Sequence, residues 1–279
     1  MYKILKRKVI APKTVMLHVE APAVARSIQQ GQFIMLKLNE YGERIPISIS
    51  GWNKEEGWLR IVIMGAGRTS NEILLMKEGD EFESLVGPLG TPSHVGKFDG
   101  TCVLLGGGYG AGAIIPVAQK LKELGNRVIG VVGARNKDLL VMHNELKKEV
   151  DELYITTNDG SEGIKGFVTN ALAAIMEKEN VAWVMGVGPV PMMKAIADMT
   201  KADKIPTYAS LNAIMVDGTG MCGACRVTVA GKTKFACIHG PDFDAHETNF
   251  EELMLRQGAY KEPEAIANEK FKDFDFSKI

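Results

Sequence analysis

The sequence predicts an antiparallel β-barrel, then a parallel α/β sheet, then a small cysteine-bearing module. Three observations carry this. Residues 1–97 fall into short apolar and β-branched runs separated by turn residues, with little helical periodicity. From Thr101 strands alternate with helices, the rhythm that builds parallel sheets. After Leu211 that rhythm stops at a segment holding three of the four cysteines. At about 150 residues per domain, 279 residues point to two domains. The pattern divides them as 1–97 and 98–211, followed by a cysteine loop at 212–242 and a polar tail at 243–279.

In the first region the runs Gln32-Phe-Ile-Met-Leu-Lys-Leu and Trp58-Leu-Arg-Ile-Val-Ile-Met read as strands. One helix interrupts them at Asn71–Lys77, with Thr69 and Ser70 as N-caps and an end near Gly79. The second region reads as Cys102–Leu105, helix Ala113–Leu124, Val128–Val132, helix Asp138–Val150, Leu153–Thr156, helix Phe167–Glu179, Val181–Met185, helix Met192–Thr200 and Thr207–Ala209. Gly125 stands where the first of these helices needs a left-handed residue to stop. The tail holds one amphipathic stretch, Phe250–Leu255. There is no internal repeat and no low-complexity linker.

An apolar fraction of 46% excludes disorder and fibre. A net charge of −1 supplies no field for nucleic acid or an anionic membrane surface, so neither is an expected partner. The longest uncharged stretch, Gly100–Gln119, has a glycine cluster at its centre and reads as strand, turn and helix, not as a membrane span. The charged start of the chain is not followed by an apolar signal core, and a reducing cytoplasm is the expected compartment. Cys102 sits alone in an apolar run and reads as a small core residue.

The sharpest motif is Asp217-x4-Cys222-x2-Cys225-x11-Cys237. A plant-type [2Fe–2S] cluster takes four anionic ligands as Cys-x4-Cys-x2-Cys with one more Cys later, and here Asp217 occupies the first position. Glycines at 218, 220 and 223 allow a loop to wrap a cluster closely. A zinc ion held by three thiolates and His239 is the rival reading, although the glycine-rich loop favours iron–sulfur. His239 and His246 flank the loop and read as polar contacts.

A second motif, Leu104-Leu-Gly-Gly-Gly-Tyr-Gly-Ala-Gly-Ala, follows a predicted strand and opens a helix. Such a turn brings backbone amides and a helix N-terminus to a diphosphate. Gly186-Val-Gly-Pro-Val-Pro-Met-Met, at the end of the fourth strand, faces the same crevice. In the barrel, Arg44-Ile-Pro-Ile-Ser-Ile-Ser and Gly65-Ala-Gly-Arg-Thr-Ser supply a guanidinium fork and a capped helix start for another diphosphate.

In this order the motifs, with Gly-Pro-Leu-Gly at 87–90, resemble the ferredoxin–NADP reductase superfamily across residues 1 to about 210. The cysteine loop narrows the resemblance to an iron–sulfur branch. It is shared by the electron-transfer subunit of dihydroorotate dehydrogenase B and the small subunit of NADH-dependent reduced ferredoxin:NADP oxidoreductase, also called sulfide dehydrogenase. Aspartate at the first cluster position resembles the latter, since the dihydroorotate subunit carries cysteine there. Pro46 and Ile47 depart from the superfamily's Arg-x-Tyr-Ser, so no side chain is assigned to cover the flavin ring. The glycine turn continues into Gly112-Ala113, where the superfamily has Ala-Pro.

The resemblance implies an antiparallel β-barrel flavin domain, an α/β parallel-sheet nucleotide domain and a small C-terminal [2Fe–2S] module. Arg44, Pro46, Ile47, Ser48, Gly67, Arg68, Thr69 and Ser70 would hold FAD. Gly107, Gly108, Gly110, Ala111, Gly186, Gly188 and Pro189 would hold NAD(H). Asp217, Cys222, Cys225 and Cys237 would hold the cluster. Arg135, Lys137 and Asp138 sit where the adenosine ribose is read; the two basic residues suit a 2′-phosphate and Asp138 a 2′-hydroxyl, and only the family points to NAD. No catalytic side chain is expected.

The implied activity is that of an electron-transfer subunit in a bifurcating transhydrogenase. Its partner is a larger flavin/[4Fe–4S] subunit, forming a heterodimer that uses NADPH and reaches ferredoxin. The tail at 243–279 is a candidate for docking that partner. The alternatives are the electron-transfer subunit of dihydroorotate dehydrogenase B and a sulfide or polysulfide reductase subunit. A zinc-stabilised nucleotide sensor is the alternative of a different class.

Overall fold

Strands β1 (Tyr2–Ala11), β2 (Thr14–Glu20), β3 (Phe33–Lys37), β4 (Arg44–Asn53), β5 (Trp58–Met64), β6 (Glu81–Phe82) and β7 (Ser84–Leu89) form one antiparallel sheet. Their order is β6-β1-β2-β5-β4-β3-β7. The computed structural model describes residues 1–271 and 274–276. Period-two alternation turns Val15, Leu17 and Val19 of β2 and Leu59, Ile61 and Ile63 of β5 into one core. A short helix, α1 (Pro22–Ser27), escapes the sequence reading; proline in its first turn presets the backbone.

The helix expected at Asn71–Lys77 begins earlier, as α2 (Arg68–Leu74), and its N-cap is Gly67, not Thr69 or Ser70. Ser70 lies at the third helical position. Its Oγ accepts from the amides of Ala66 and Gly67, both at 2.9 Å, so the serine closes the turn from inside the helix.

The second sheet contains β8 (Thr101–Gly107), β9 (Arg127–Ala134), β10 (Glu152–Thr157), β11 (Ile164–Lys165), β12 (Val181–Val187) and β13 (Thr207–Ser210). They run parallel in the order β11-β10-β9-β8-β12-β13. The chain builds outward from β8 in one direction and then returns to add β12 on the other side. The switch point between β8 and β12 is where such sheets open a crevice. Helices α3 (Gly110–Glu123), α4 (His143–Leu146), α5 (Val168–Met176) and α6 (Val190–Lys201) connect the strands. Gly125, with φ +77°, ends the α3 turn as expected and donates to Lys122 O at 2.8 Å.

The helix expected over Asp138–Val150 is the main local difference. A 3₁₀ turn at Lys137–Leu139 gives way to extended Leu140, a left-handed Met142 (φ 57°) and the single turn of α4. Leu140, Val141 and Met142 are buried consecutively in the core shared with α3. A helix would turn at least one of them to solvent, so burial overrides periodicity.

The C-terminal part forms a hairpin, β14 (Arg226–Val229) and β15 (Lys232–Phe235), then α7 (Ala236–His239), β16 (Asp242–Asp244), α8 (Phe250–Gln257) and α9 (Lys261–Ala267). Strand β16 adds antiparallel to β13 at the edge of the second sheet. The predicted amphipathic stretch is α8: Asn249 caps it by accepting from Glu252 N–H at 3.0 Å, and Phe250 and Leu253 bury its apolar face. Beyond α9, Phe271 and Phe276 enter the barrel core. Among the described residues no helix is long and apolar enough to cross a membrane.

Candidate functional site

A cleft of about 1010 Å³ opens between the barrel and the switch point of the second sheet. Register pairs Lys37 with Arg44, Met35 with Pro46 and Phe33 with Ser48. Arg44, Pro46 and Ser48 therefore share one face of β4, and all three line the cleft. Ile45 and Ile47 alternate with them and pack against the barrel core, and both also border the cleft. Gly67, Arg68, Thr69 and Ser70 line the same cleft from the start of α2. Here Thr69 Oγ1 donates to Glu43 Oε2 at 3.3 Å and Arg68 Nε donates to Glu72 Oε1 at 3.2 Å.

On the facing side the turns after β8 and β12 meet. A Cβ on Gly110 would stand 2.2 Å from Val187 O, so only glycine lets the turn pass beneath β12. A Cβ on Gly188 would lie 3.2 Å from Gly107 Cα. Of the expected nucleotide-binding residues, Gly188 lines the cleft, joined by Tyr109, Gly112 and Val187. Ala111 is fully buried, and Gly186 sits beneath Ile196, so both shape the turns from behind. Gly107 ends β8, and Gly108 and Pro189 belong to the turns themselves. Arg135 and Asp138 are exposed on the loop after β9 and do not line the cleft.

Sequence reasoning missed a third wall. Ser210 to Val216, which leads into the cysteine loop, lines the cleft, as do Tyr260, Pro263, Glu264 and Ala267 of the tail. The glycine motifs do not extend to this wall, whereas Tyr109, Gly112 and Val187 lay inside the quoted turns.

The cysteine loop begins where that wall ends. Gly218, with φ +77°, presses against the barrel: a Cβ there would meet Met35 Cγ at 2.6 Å. Asp217 accepts from Thr219 N–H through Oδ1 and from Cys222 N–H through Oδ2, each at 2.8 Å. These backbone donors, Thr219 foremost, hold its carboxyl below the usual carboxylate range. Cys225 and Cys237 are buried with their Sγ atoms 3.2 Å apart, whereas Cys222 is exposed. Burial and the neighbouring Cys225 push the Cys237 thiol up to about 12, so Cys237 keeps its proton at neutral pH until a cation displaces it.

Two thiolates on one tetrahedral ion with ~2.3 Å bonds would stand about 3.8 Å apart. At 3.2 Å the two sulfurs stand closer than that, so they converge on one point and must part slightly to share an ion. Amides of Ala224 and Cys237 point at Cys222 Sγ and Cys225 Sγ, both at 3.5 Å, as donors to an anionic sulfur should. Among the described residues no three His, Cys, Asp or Glu side chains stand together as a formed metal site. Three thiols, one carboxylate and sulfur-directed amides nevertheless fit an iron–sulfur cluster by donor chemistry. His239 Nδ1 accepts from Phe235 N–H at 3.0 Å and His246 Nε2 lies 2.9 Å from Thr200 Oγ1, so both are engaged in polar contacts as expected. Cys102 is buried in the sheet core, where burial pushes its thiol up to about 11.

A barrel facing a parallel sheet across a cleft, with a cysteine loop at its rim, defines an oxidoreductase of the ferredoxin reductase fold. Phthalate dioxygenase reductase shares that fold at 17% identity and a TM-score of 0.59, over 82% of this chain and 85% of its own. The iron-sulfur cluster binding domain of dihydroorotate dehydrogenase B matches residues 212–249. A dihydroorotate dehydrogenase B electron transfer subunit homolog of Thermotoga maritima is 42% identical over 96% of this chain and 95% of its own. The solved NADH-dependent reduced ferredoxin-NADP oxidoreductase has a chain 43% identical, with a TM-score of 0.92 over 97% of this chain and 98% of that one. The chain belongs to this family of flavin and iron–sulfur oxidoreductases, whose members include the electron-transfer subunits of dihydroorotate dehydrogenase B.

Proposed function

We propose that the chain is the electron-transfer subunit of a flavin-based electron-bifurcating transhydrogenase. Its FAD exchanges hydride with NAD(H), and a [2Fe–2S] cluster links it to a larger flavin/[4Fe–4S] subunit that uses NADPH and ferredoxin. The observation that carries this reading is Asp217 at the first cluster position, in a chain 43% identical throughout to a subunit of the solved ferredoxin-NADP oxidoreductase. The heterodimer works in the cytoplasm, where the thiols remain reduced.

When bound, the flavin and the cluster supply conversion between hydride and single-electron chemistry. The residues of this chain bind, orient and exclude water. Arg44 offers a charged fork to a diphosphate, with the backbone of Gly67 to Thr69 beside it. Ser48, on the same strand face, offers a hydroxyl to the cleft. Gly188 and the Gly107–Gly110 turn bring the second sheet's backbone close enough to admit a dinucleotide opposite the barrel. Exposed Arg135 and Asp138 are left to read its ribose. Asp217, Cys222, Cys225 and Cys237 hold the cluster next to the wall formed by Ser210 to Val216. Exposed residues of the 243–279 segment contribute to partner docking.

Anaerobic purification from the native host followed by mass spectrometry tests the assignment. A co-purifying larger flavoprotein rich in iron, whose NADPH oxidation reduces ferredoxin and NAD⁺ together, is the expected result. Co-purification with a dihydroorotate dehydrogenase would assign the chain to that enzyme instead, a reading favoured by the match at residues 212–249.

A further inference from the structure

The tail turns back on its own barrel. From α8 the chain leaves the cysteine loop, where Arg256 donates to Ala224 O at 2.9 Å and Gln257 Nε2 to Asn212 O and Oδ1, each at 2.9 Å. It then passes along the cleft as α9, contributing Tyr260, Pro263, Glu264 and Ala267 to its wall. Past the cleft it fastens to α2. Asn71 Nδ2 donates to Asn268 Oδ1 at 2.8 Å, and Lys270 Nζ pairs with Glu72 Oε1. It ends in an aromatic plug: Phe271 and Phe276 sit in the barrel core with ring centroids 6.0 Å apart, and Lys13 Nζ lies 4.7 Å over Phe276.

The fastening point is significant. The start of α2 carries Arg68, Thr69 and Ser70, the side of the cleft assigned to the flavin diphosphate, and Glu72 binds Arg68 and Lys270 through the same oxygen. The tail therefore touches the cleft twice: directly as a wall, and indirectly through the helix that holds Arg68. One end is tied to the loop after β13 and the other is sunk in the barrel. A segment anchored at both ends and crossing an opening restricts passage through it.

We propose that residues 260–271 form a strap that retains FAD, with Tyr260 and Glu264 as cofactor-facing residues and with Asn268 and Lys270 as positioning residues acting through α2. This rests on the reading of the cleft as the flavin site. A strap slows entry as well as exit, whereas a simple loss of stability would weaken retention without speeding uptake. The two therefore leave different kinetic traces.

The test compares the holoprotein with a chain ending at Ala259 and with the double variant Asn268→Ala, Lys270→Ala, which leaves Phe271 and Phe276 in place. Flavin release is followed by the rise in FAD fluorescence on dilution, and uptake by its quenching when FAD is added to apoprotein. Circular dichroism and the cluster's visible absorbance report on folding. The shortened chain should release and take up FAD at least about tenfold faster, and the double variant about three- to tenfold faster, with cluster absorbance unchanged. If the shortened chain fails to fold, the double variant decides. Unchanged release and uptake in a folded variant would overturn the strap. Failure of the full-length chain itself to bind FAD would instead overturn the flavin reading of the cleft.

Discussion

The cysteine loop and the flavin cleft are built in opposite ways. The loop's four candidate ligands come from one short stretch, Asp217 to Cys237, and the backbone of that stretch already supplies hydrogen bonds to Asp217 and to two sulfurs. The cleft is assembled from β4, the start of α2, the switch-point turns, Ser210 to Val216 and the tail, which are far apart in the chain. A contiguous site is specified by spacing and local turns. A distributed site exists only once two sheets and a tail have docked. The two sites should therefore respond separately to substitutions in their own residues and together only at the groups that join them.

The largest expected effect breaks the loop alone. Cys225→Ser removes a buried sulfur and should abolish the EPR signal of the reduced cluster while FAD content stays at the parental level; loss of both would show that the loop holds the cleft together. Next, Arg44→Ala should weaken FAD binding by about 10- to 150-fold, the equivalent of one charge-assisted hydrogen bond of roughly 1.5–3 kcal/mol, with the cluster signal intact. Titration of apoprotein with FAD measures it, and an unchanged Kd would remove Arg44 from the diphosphate site.

Asp217→Cys sharpens the comparison. It should keep the cluster and change its reduction potential, because donor type and hydrogen bonding tune iron–sulfur centres. Redox titration followed by EPR reads the change. A folded variant devoid of iron would instead speak for the carboxylate's backbone bonds to Thr219 and Cys222 as its main task.

The smallest effect concerns a joint between the regions. Asp242 of β16 is fully buried; its Oδ2 accepts from Ser93 Oγ at 2.5 Å, and its Oδ1 has no hydrogen-bond partner among the described residues. Burial raises its carboxyl above the ordinary range, against the opposing pull of Ser93, Ser210 and His94. The folded state thus binds this proton more tightly than the unfolded chain. Stability from it is complete below the unfolded value and falls as pH rises through the folded one. Asp242→Asn should lack that fall, so its Tm should exceed the parent's increasingly as pH rises, by about 2–4 °C for each kcal/mol. Parallel melting curves across the range would cancel the argument.

Much of this was legible in sequence. The Asp217 to Cys237 spacing, the glycine turns and the βα alternation each encode a local constraint: ligand geometry, close backbone approach and strand–helix periodicity. The alternation in Arg44-Ile-Pro-Ile-Ser even implied which residues share a face of β4. Asp138–Val150 misled because its helical pattern could not reveal that Leu140, Val141 and Met142 would all be buried against α3.

The sequence by itself determined the order of the elements, the candidate ligands at 217, 222, 225 and 237, and the polar face of β4, because these follow from neighbours in the chain. Only the tertiary structure decided that Tyr109, Ser210 to Val216 and Tyr260 to Ala267 share one cleft with Arg44. It also decided that Phe271 and Phe276 complete the barrel core from the far end of the chain. Their positions come from apolar surfaces finding partners across long sequence separations, and hydrophobic burial is non-directional, so it leaves no periodic trace in the sequence.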